Sequence, residues 1–182
     1  MLNPRPRGSL LDALYPTMVK PRVFVSYHHA NDQAWYDRFS NLFNTRFDVI
    51  TDKSLERGID SDDPDYTRRK IREDNITGTS VTIVLCGQET WKRRWVDWEI
   101  SMTLNKKHGL LGIALPDHTK GDDGGCVVPS RFLENYKSGF AHWMHWNNDP
   151  EIVYSAIIEA RNRSSSTGLI MNSAPLMQRS RS

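Results

Sequence analysis

Residues 80–87 read "SVTIVLCG", and this run constrains the fold more than any other stretch. A strand with one wet face alternates apolar and polar side chains. An almost unbroken apolar run instead suits a strand covered on both faces, as in a parallel sheet flanked by helices. Such a sheet needs helical crossovers between its strands, so helical periodicity should recur on either side of the run.

It does. "RVFVSY" (22–27) is β-branched and aromatic and reads as a strand. In 28–43, Trp35, Phe39, Leu42 and Phe43 recur at helical spacing, with Asn31 or Asp32 as the N-cap. "FDVITD" (47–52) is a second strand, followed by an Asp/Gly-rich loop over 53–64 and a helix over 64–76 that opens on Pro64. After the central run, 89–107 predicts the longest helix, "GLLGIAL" (109–115) a fourth strand, and 116–130 a Gly/Asp loop. "GFAHWMHW" (139–146) predicts a fifth strand, and "PEIVYSAIIEAR" (150–161) a closing helix capped by Asp149. The expectation is an α/β domain: one doubly wound, parallel, five-stranded sheet with helices on both faces. Ligands in such sheets lie at the carboxyl ends of the strands. The loops concerned begin at Tyr27, Asp52, Gly87, Leu115 and Trp146.

Charge divides the chain into the same parts. The net charge is +2, but residues 1–22 carry +3 and 161–182 carry +4, leaving −5 on 23–160. The basic charge therefore lies in the ends, and the acidic centre argues against a nucleic-acid surface. We expect a loosely ordered extension over 1–20, a domain over 21–162 and a disordered Ser/Arg tail over 163–182. Two distant cysteines, Cys86 and Cys126, form no disulfide or metal framework and suit a reducing compartment. No segment approaches the roughly 20 apolar residues that span a bilayer. The expectation is a soluble, cytoplasmic protein without a membrane partner.

The common occupants of such a fold are excluded by their loops. There is no Walker phosphate loop and no dinucleotide glycine fingerprint, since the first turn reads "SYHHAND". A receiver domain needs acids after its first and third strands, where this chain has His28, His29 and Cys86-Gly87. His28 and His29 are adjacent, and His142 and His145 fall on opposite faces of a strand, so neither pair chelates a metal. The acids Asp60, Asp62, Asp63 and Asp65 lack the spacing of a cation loop. No metal is expected.

The helix at 89–107 holds the unusual chemistry. At about 100° per residue, Trp91, Trp95, Trp98 and Met102 fall in one stripe, and Glu99 lies about 40° past Trp95 at its rim. The ordinary account makes the stripe core and pairs Glu99 with Arg94 or Lys92. The functional account makes an indole-walled pocket in which poorly screened Glu99 acts on a sugar cation.

Together these residues resemble a TIR domain over about 21–160. "RVFVSYHHAND" resembles the TIR opening strand and first loop, with Asp32 close behind. "TGTSVTIVLCG" resembles its central strand. "TWKRRWVDWEI" resembles the helix that carries the glutamate of NAD-cleaving members, where a Trp precedes the Glu by four residues, as Trp95 precedes Glu99. The closest pattern is the ThsB-like branch of Thoeris anti-phage defence.

The resemblance implies sheet order 2-1-3-4-5. It also implies an NAD⁺ glycohydrolase or ADP-ribosyl cyclase that releases nicotinamide. The product would be a cyclic ADP-ribose signal for a downstream effector. NAD⁺ would be substrate, and no cofactor is implied. A phage-derived trigger and a homo-oligomer are compatible with it. Glu99 would be catalytic. Ser26, Tyr27, His28, Asp52, Trp91 and Trp95 would contact substrate, with Trp91 the exposed wall and Trp95 core support. The alternative is a non-catalytic TIR interaction module. The enzyme reading requires the Glu99 carboxyl to project into a cleft; a carboxyl turned away from any cavity, or locked in a buried ion pair with an arginine, would leave only the interaction module.

Overall fold

A computed structural model describes residues 21–44, 48–50 and 64–180. The expected extension over 1–20, Asp52 and the acidic loop after it lie outside the described residues. The chain is α/β, with parallel strands β1 (Arg22–Ser26), β3 (Val81–Cys86), β4 (Gly109–Ala114) and β5 (His142–His145). The short strand β2 (Asp48–Ile50) pairs parallel with the outer side of β1, giving the order β2-β1-β3-β4-β5. The register sets Val23 beside Val81 and Val81 beside Gly109, so the carboxyl ends of β1 and β3 come out side by side.

All six residues of β3 are buried. Val81, Ile83 and Leu85 join Tyr36, Phe39 and Phe43 of α1 (His29–Phe43) and Val153 and Ile157 of α5 (Pro150–Arg163). Val84 and Cys86 point the other way, onto Val96, Ile100 and Leu104 of α3 (Arg94–Asn105) and Phe132 of α4 (Ser130–Lys137). Alternate side chains of one strand thus feed two cores, which is what an unbroken apolar run permits. α2 (Pro64–Thr77) packs beside α3 and contributes the buried Ile76. The Asp149 carboxylate accepts from the Glu151 N–H at 2.9 Å and caps α5.

Four expectations change. The helix predicted over 89–107 is interrupted: Thr90–Lys92 is a 3-10 turn, Arg93 is extended, and α3 starts at Arg94. This break puts Trp91 out of phase with the helix. The buried face of α3 is Val96, Ile100 and Leu104, flanked by Glu99 and Thr103, while the indoles sit half-buried on its flank. Second, α4 forms where the sequence predicts no element, between the loop expected over 116–130 and the strand expected over 139–146; eight residues are too short for a clear periodic signal. Third, His28 rather than Asn31 or Asp32 occupies the α1 N-cap position.

The fourth concerns the tail, whose Ser-rich composition predicts disorder. Residues 164–180 instead lie against α3 and α4. Buried Arg131 donates to Asn172 Oδ1 at 2.8 Å and to the carbonyls of Ala174 and Pro175 at 3.0 and 3.1 Å. Asn135 exchanges two hydrogen bonds with the backbone of Met171. The Met177 N–H donates to Asp97 Oδ2 at 2.8 Å. Side chains far upstream satisfy the tail's backbone, and local composition cannot reveal such partners.

Candidate functional site

β1 ends at Ser26, and the chain turns through Tyr27 and His28 into α1. The second turn of α3 carries Glu99 to the same edge of the sheet. The Ser26 hydroxyl donates to Glu99 Oε2 at 2.5 Å, and Arg72 of α2 places Nε 3.2 Å from Glu99 Oε1. Both members of the Arg72–Glu99 pair are buried, with side chains 2% and 5% exposed. Arg72 also lays its guanidinium over the Trp95 indole, 4.4 Å from the ring centroid. A buried guanidinium against a carboxylate and an aromatic face is a favourable seat for a charge that would otherwise be costly to desolvate.

This carboxylate also borders a cavity of about 240 Å³, with Tyr27, His28, Trp95 and Arg93 among its walls. Tyr27 is fixed by stacking on Tyr36, with centroids 4.6 Å apart, and by donating to Gln33 Oε1 at 2.9 Å. Burial lowers the His28 pKa, and the Arg93 guanidinium adds to the effect, so the imidazole is held towards its neutral form. Its Nδ1 is buried without a hydrogen-bond partner. Ser180 reaches this cavity too, accepting from the Arg94 N–H at 3.3 Å.

Behind the site, a polar knot holds the loop after β3. The Thr90 hydroxyl lies 2.9 Å from Asp32 Oδ2 and accepts from the Gly87 N–H at 2.9 Å. A Cβ on Gly87 would meet Asp32 Oδ1 at 2.3 Å, so only glycine admits this approach. Asp32 is 1% exposed; burial pushes its pKa up to about 6, against the lowering effect of the Thr90 hydrogen bond.

The structure thus brings Ser26, Tyr27, His28, Trp95 and Glu99 together. Two assignments within the site change. Trp95, expected as core support, is a cavity wall. Trp91, expected as the wall, lies outside that lining: its Nε1 donates to Gln88 O and Lys92 sits over its ring. The pairing of Glu99 with Arg94 or Lys92 gives way to Arg72, while Lys92 and Arg93 both bind Glu89. Arg72 escaped the sequence reading. It lies four residues before buried Ile76 on one helical face, and a cation on such a stripe needs a buried partner.

A parallel α/β domain whose first strand, central strand and third helix converge on a buried glutamate has the architecture of a TIR-like domain. The sequence pattern of the family described as "Thoeris protein ThsB, TIR-like domain" matches residues 24–120, and the chain belongs to that family. The chain is also 37% identical over 99 residues to the "Putative cyclic ADP-D-ribose synthase ThsB1" of Bacillus cereus (strain MSX-D12). That match covers 50% of this chain and 50% of the relative, so the chain aligns with about half of the relative's length. The family match ends before α4, β5, α5 and the docked tail.

Proposed function

We propose that this protein cleaves NAD⁺ between nicotinamide and ribose and converts the ADP-ribosyl part into a cyclic signal for anti-phage defence. Family membership and the name of the Bacillus relative support this reading. The observation that carries it is the Glu99 carboxylate, 4% exposed, oriented by Ser26 and Arg72 on the wall of an indole-bearing cavity.

Nicotinamide leaves as a neutral molecule from a cationic ring, so no general acid is required. The C1′–N bond breaks, nicotinamide takes the electron pair, and positive charge develops on the ribose as in glycoside hydrolysis. Glu99 accepts from the ribose hydroxyls and steadies that charge; one preorganised contact of this kind is worth about 3–4 kcal/mol. Trp95 lends its indole to the cavity wall, with Arg72 and Arg94 both lying over the ring. Attack on C1′ by a nitrogen or hydroxyl of the same molecule, with loss of any proton to solvent, closes a ring; attack by water gives ADP-ribose. Exclusion of water sets the ratio. NAD⁺ is substrate here, in the cytoplasm, and the partner is an effector reached through the small product.

The buried Arg72–Glu99 pair is the arrangement expected from the sequence for a non-catalytic interaction module, and it carries that second reading; the cavity that Glu99 also borders is what supports the enzyme against it. Nicotinamide release from NAD⁺ decides between them, with and without lysate from phage-infected cells. The enzyme reading expects release by the wild type and its loss in Glu99→Gln. Equal release by both proteins removes Glu99 from its role, and no release under either condition leaves the module.

A further inference from the structure

Residues 171–180 run as a strap along α3, the helix that carries Glu99. Asn172 Nδ2 donates to Asn105 Oδ1 at 2.8 Å and to the Ser101 carbonyl at 3.1 Å. The Met177 N–H donates to Asp97 Oδ2, and the Ser180 hydroxyl accepts from the Arg94 N–H. These ties run antiparallel to the helix, from its C-terminal end to its N-terminal end. There Ser180 joins Tyr27, Trp95 and Glu99 in the lining of one cavity. We propose that this strap is a wall of the substrate cavity, in which Ser180 contacts substrate and Asn172 and Arg131 are positioning residues. The proposal rests on the NAD⁺ reading and extends its site to the chain beyond α5.

Register separates a built wall from a chance neighbour. At about 100° per residue, Arg94, Asp97, Ser101 and Asn105 fall within about 80° of one another around α3. Successive ties on one stripe fix where the strap ends, so a slip at Asn172 would carry Ser180 away from the cavity. Glu99 lies on the opposite side of the helix, so the strap runs behind it and meets its cavity at the end of the helix, where Ser180 stands. Arg131 clamps the middle of the strap through Asn172 Oδ1 and the Ala174 and Pro175 carbonyls. Arg131 and Asp97 are themselves buried, so the clamp is part of the core. Between clamp and tip, Leu176, Met177 and Gln178 border a neighbouring hollow that shares Trp95 with the Glu99 cavity. The Ser180 oxygen takes the Arg94 N–H, and among the described residues nothing takes its proton, which is left to an oxygen of a ligand. A contact made equally to substrate and transition state sets KM rather than kcat.

The test uses the full chain, as wild type and as the single variants Asn172→Ala and Ser180→Ala. Asn172 is half-buried and Ser180 exposed, so both variants should fold, and circular dichroism checks that they do. Limited proteolysis should find the strap loosened in Asn172→Ala and as resistant as the wild type in Ser180→Ala. Calorimetric titration uses ADP-ribose, which has no nicotinamide bond to cleave. Its affinity should fall by about two- to tenfold in Ser180→Ala and by at least as much in Asn172→Ala. KM for NAD⁺ should rise in both variants with kcat nearly unchanged. A strap that only stabilises the fold predicts no effect of Ser180→Ala. Unchanged ADP-ribose affinity in Ser180→Ala, tighter binding in Asn172→Ala, or no ADP-ribose binding by the wild type overturns the wall. The two readings fail separately. Nicotinamide release with an unchanged KM in both variants removes the wall and keeps the cleavage. ADP-ribose binding that both variants weaken, without nicotinamide release by any of the proteins, removes the cleavage and keeps the wall.

Discussion

Helix α3 carries two buried acid–arginine pairs, Asp97 with Arg131 and Glu99 with Arg72. Two residues apart, the acids point to opposite sides of the helix, about 200° around its axis. The pairs look alike in burial and distance, 2.9 Å for one and 3.2 Å for the other. They differ in what else the partners hold. Arg131 gives its remaining donors to Asn172 and to two tail carbonyls, and Asp97 takes the Met177 N–H. The hollow beside that pair, about 150 Å³, is walled in part by the tail itself. Glu99 takes a serine hydroxyl, Arg72 takes an indole face, and their cavity has Tyr27 and His28 among its walls. Burial of an ion pair therefore does not separate structure from chemistry. The company it keeps does: the first pair is spent on the chain's own backbone, and the second faces a ligand-sized space.

The largest effect should come from breaking the structural pair. Arg131→Leu leaves Asp97 buried without its cation, which should cost about 3–5 kcal/mol in urea unfolding. It should also free the tail, so limited proteolysis should cut near residues 172–178 at a protease level that spares the wild type. A tail that stays protected would show that Arg131 is not its anchor and would blur the contrast between the two pairs.

Next comes Glu99→Gln. Nicotinamide release should fall by about 10²–10³. Urea unfolding of this variant keeps the readouts apart, because Arg72 loses its counter-charge and stability falls as well. A variant that is destabilised yet retains full release would make the second pair structural like the first. Ser26→Ala should act more mildly. It removes one hydrogen bond to an ionised acceptor, worth about 1.5–3 kcal/mol, and should lower release by about tenfold while sparing the tail's protease resistance.

The parts of this contrast were unequally legible in the sequence. The unbroken run at 81–86 marks a strand buried on both faces, and the structure buries every residue of it. Glu99 was singled out by its spacing from Trp95, yet its partners were not. Ser26 is 73 residues away and Arg72 lies among several cations on α2, so neither contact has a local signature. The exchange of roles between Trp91 and Trp95 has one cause. An unbroken helix was read through 89–107, whereas extended Arg93 resets the phase at Arg94. Arg131 and the docked tail were invisible for a related reason: one buried guanidinium orders a segment whose own composition favours disorder.

The smallest effect probes the knot behind the site. Asp32 has a folded pKa of about 6, above its ordinary 3.8, because burial disfavours the anion. A raised carboxyl pKa favours the folded state when protonated. That contribution is fully present below about pH 3.8 and is lost as pH rises through about 6. Between about pH 5 and about pH 8 the wild type should lose about 1 kcal/mol from this group. Asp32→Asn keeps a Thr90 partner without the charge, so its urea midpoint should be flatter across the same window. Identical slopes in wild type and Asp32→Asn would mean that solvent reaches the carboxylate, and the loop after β3 would then owe its position to Thr90 and Gly87 alone.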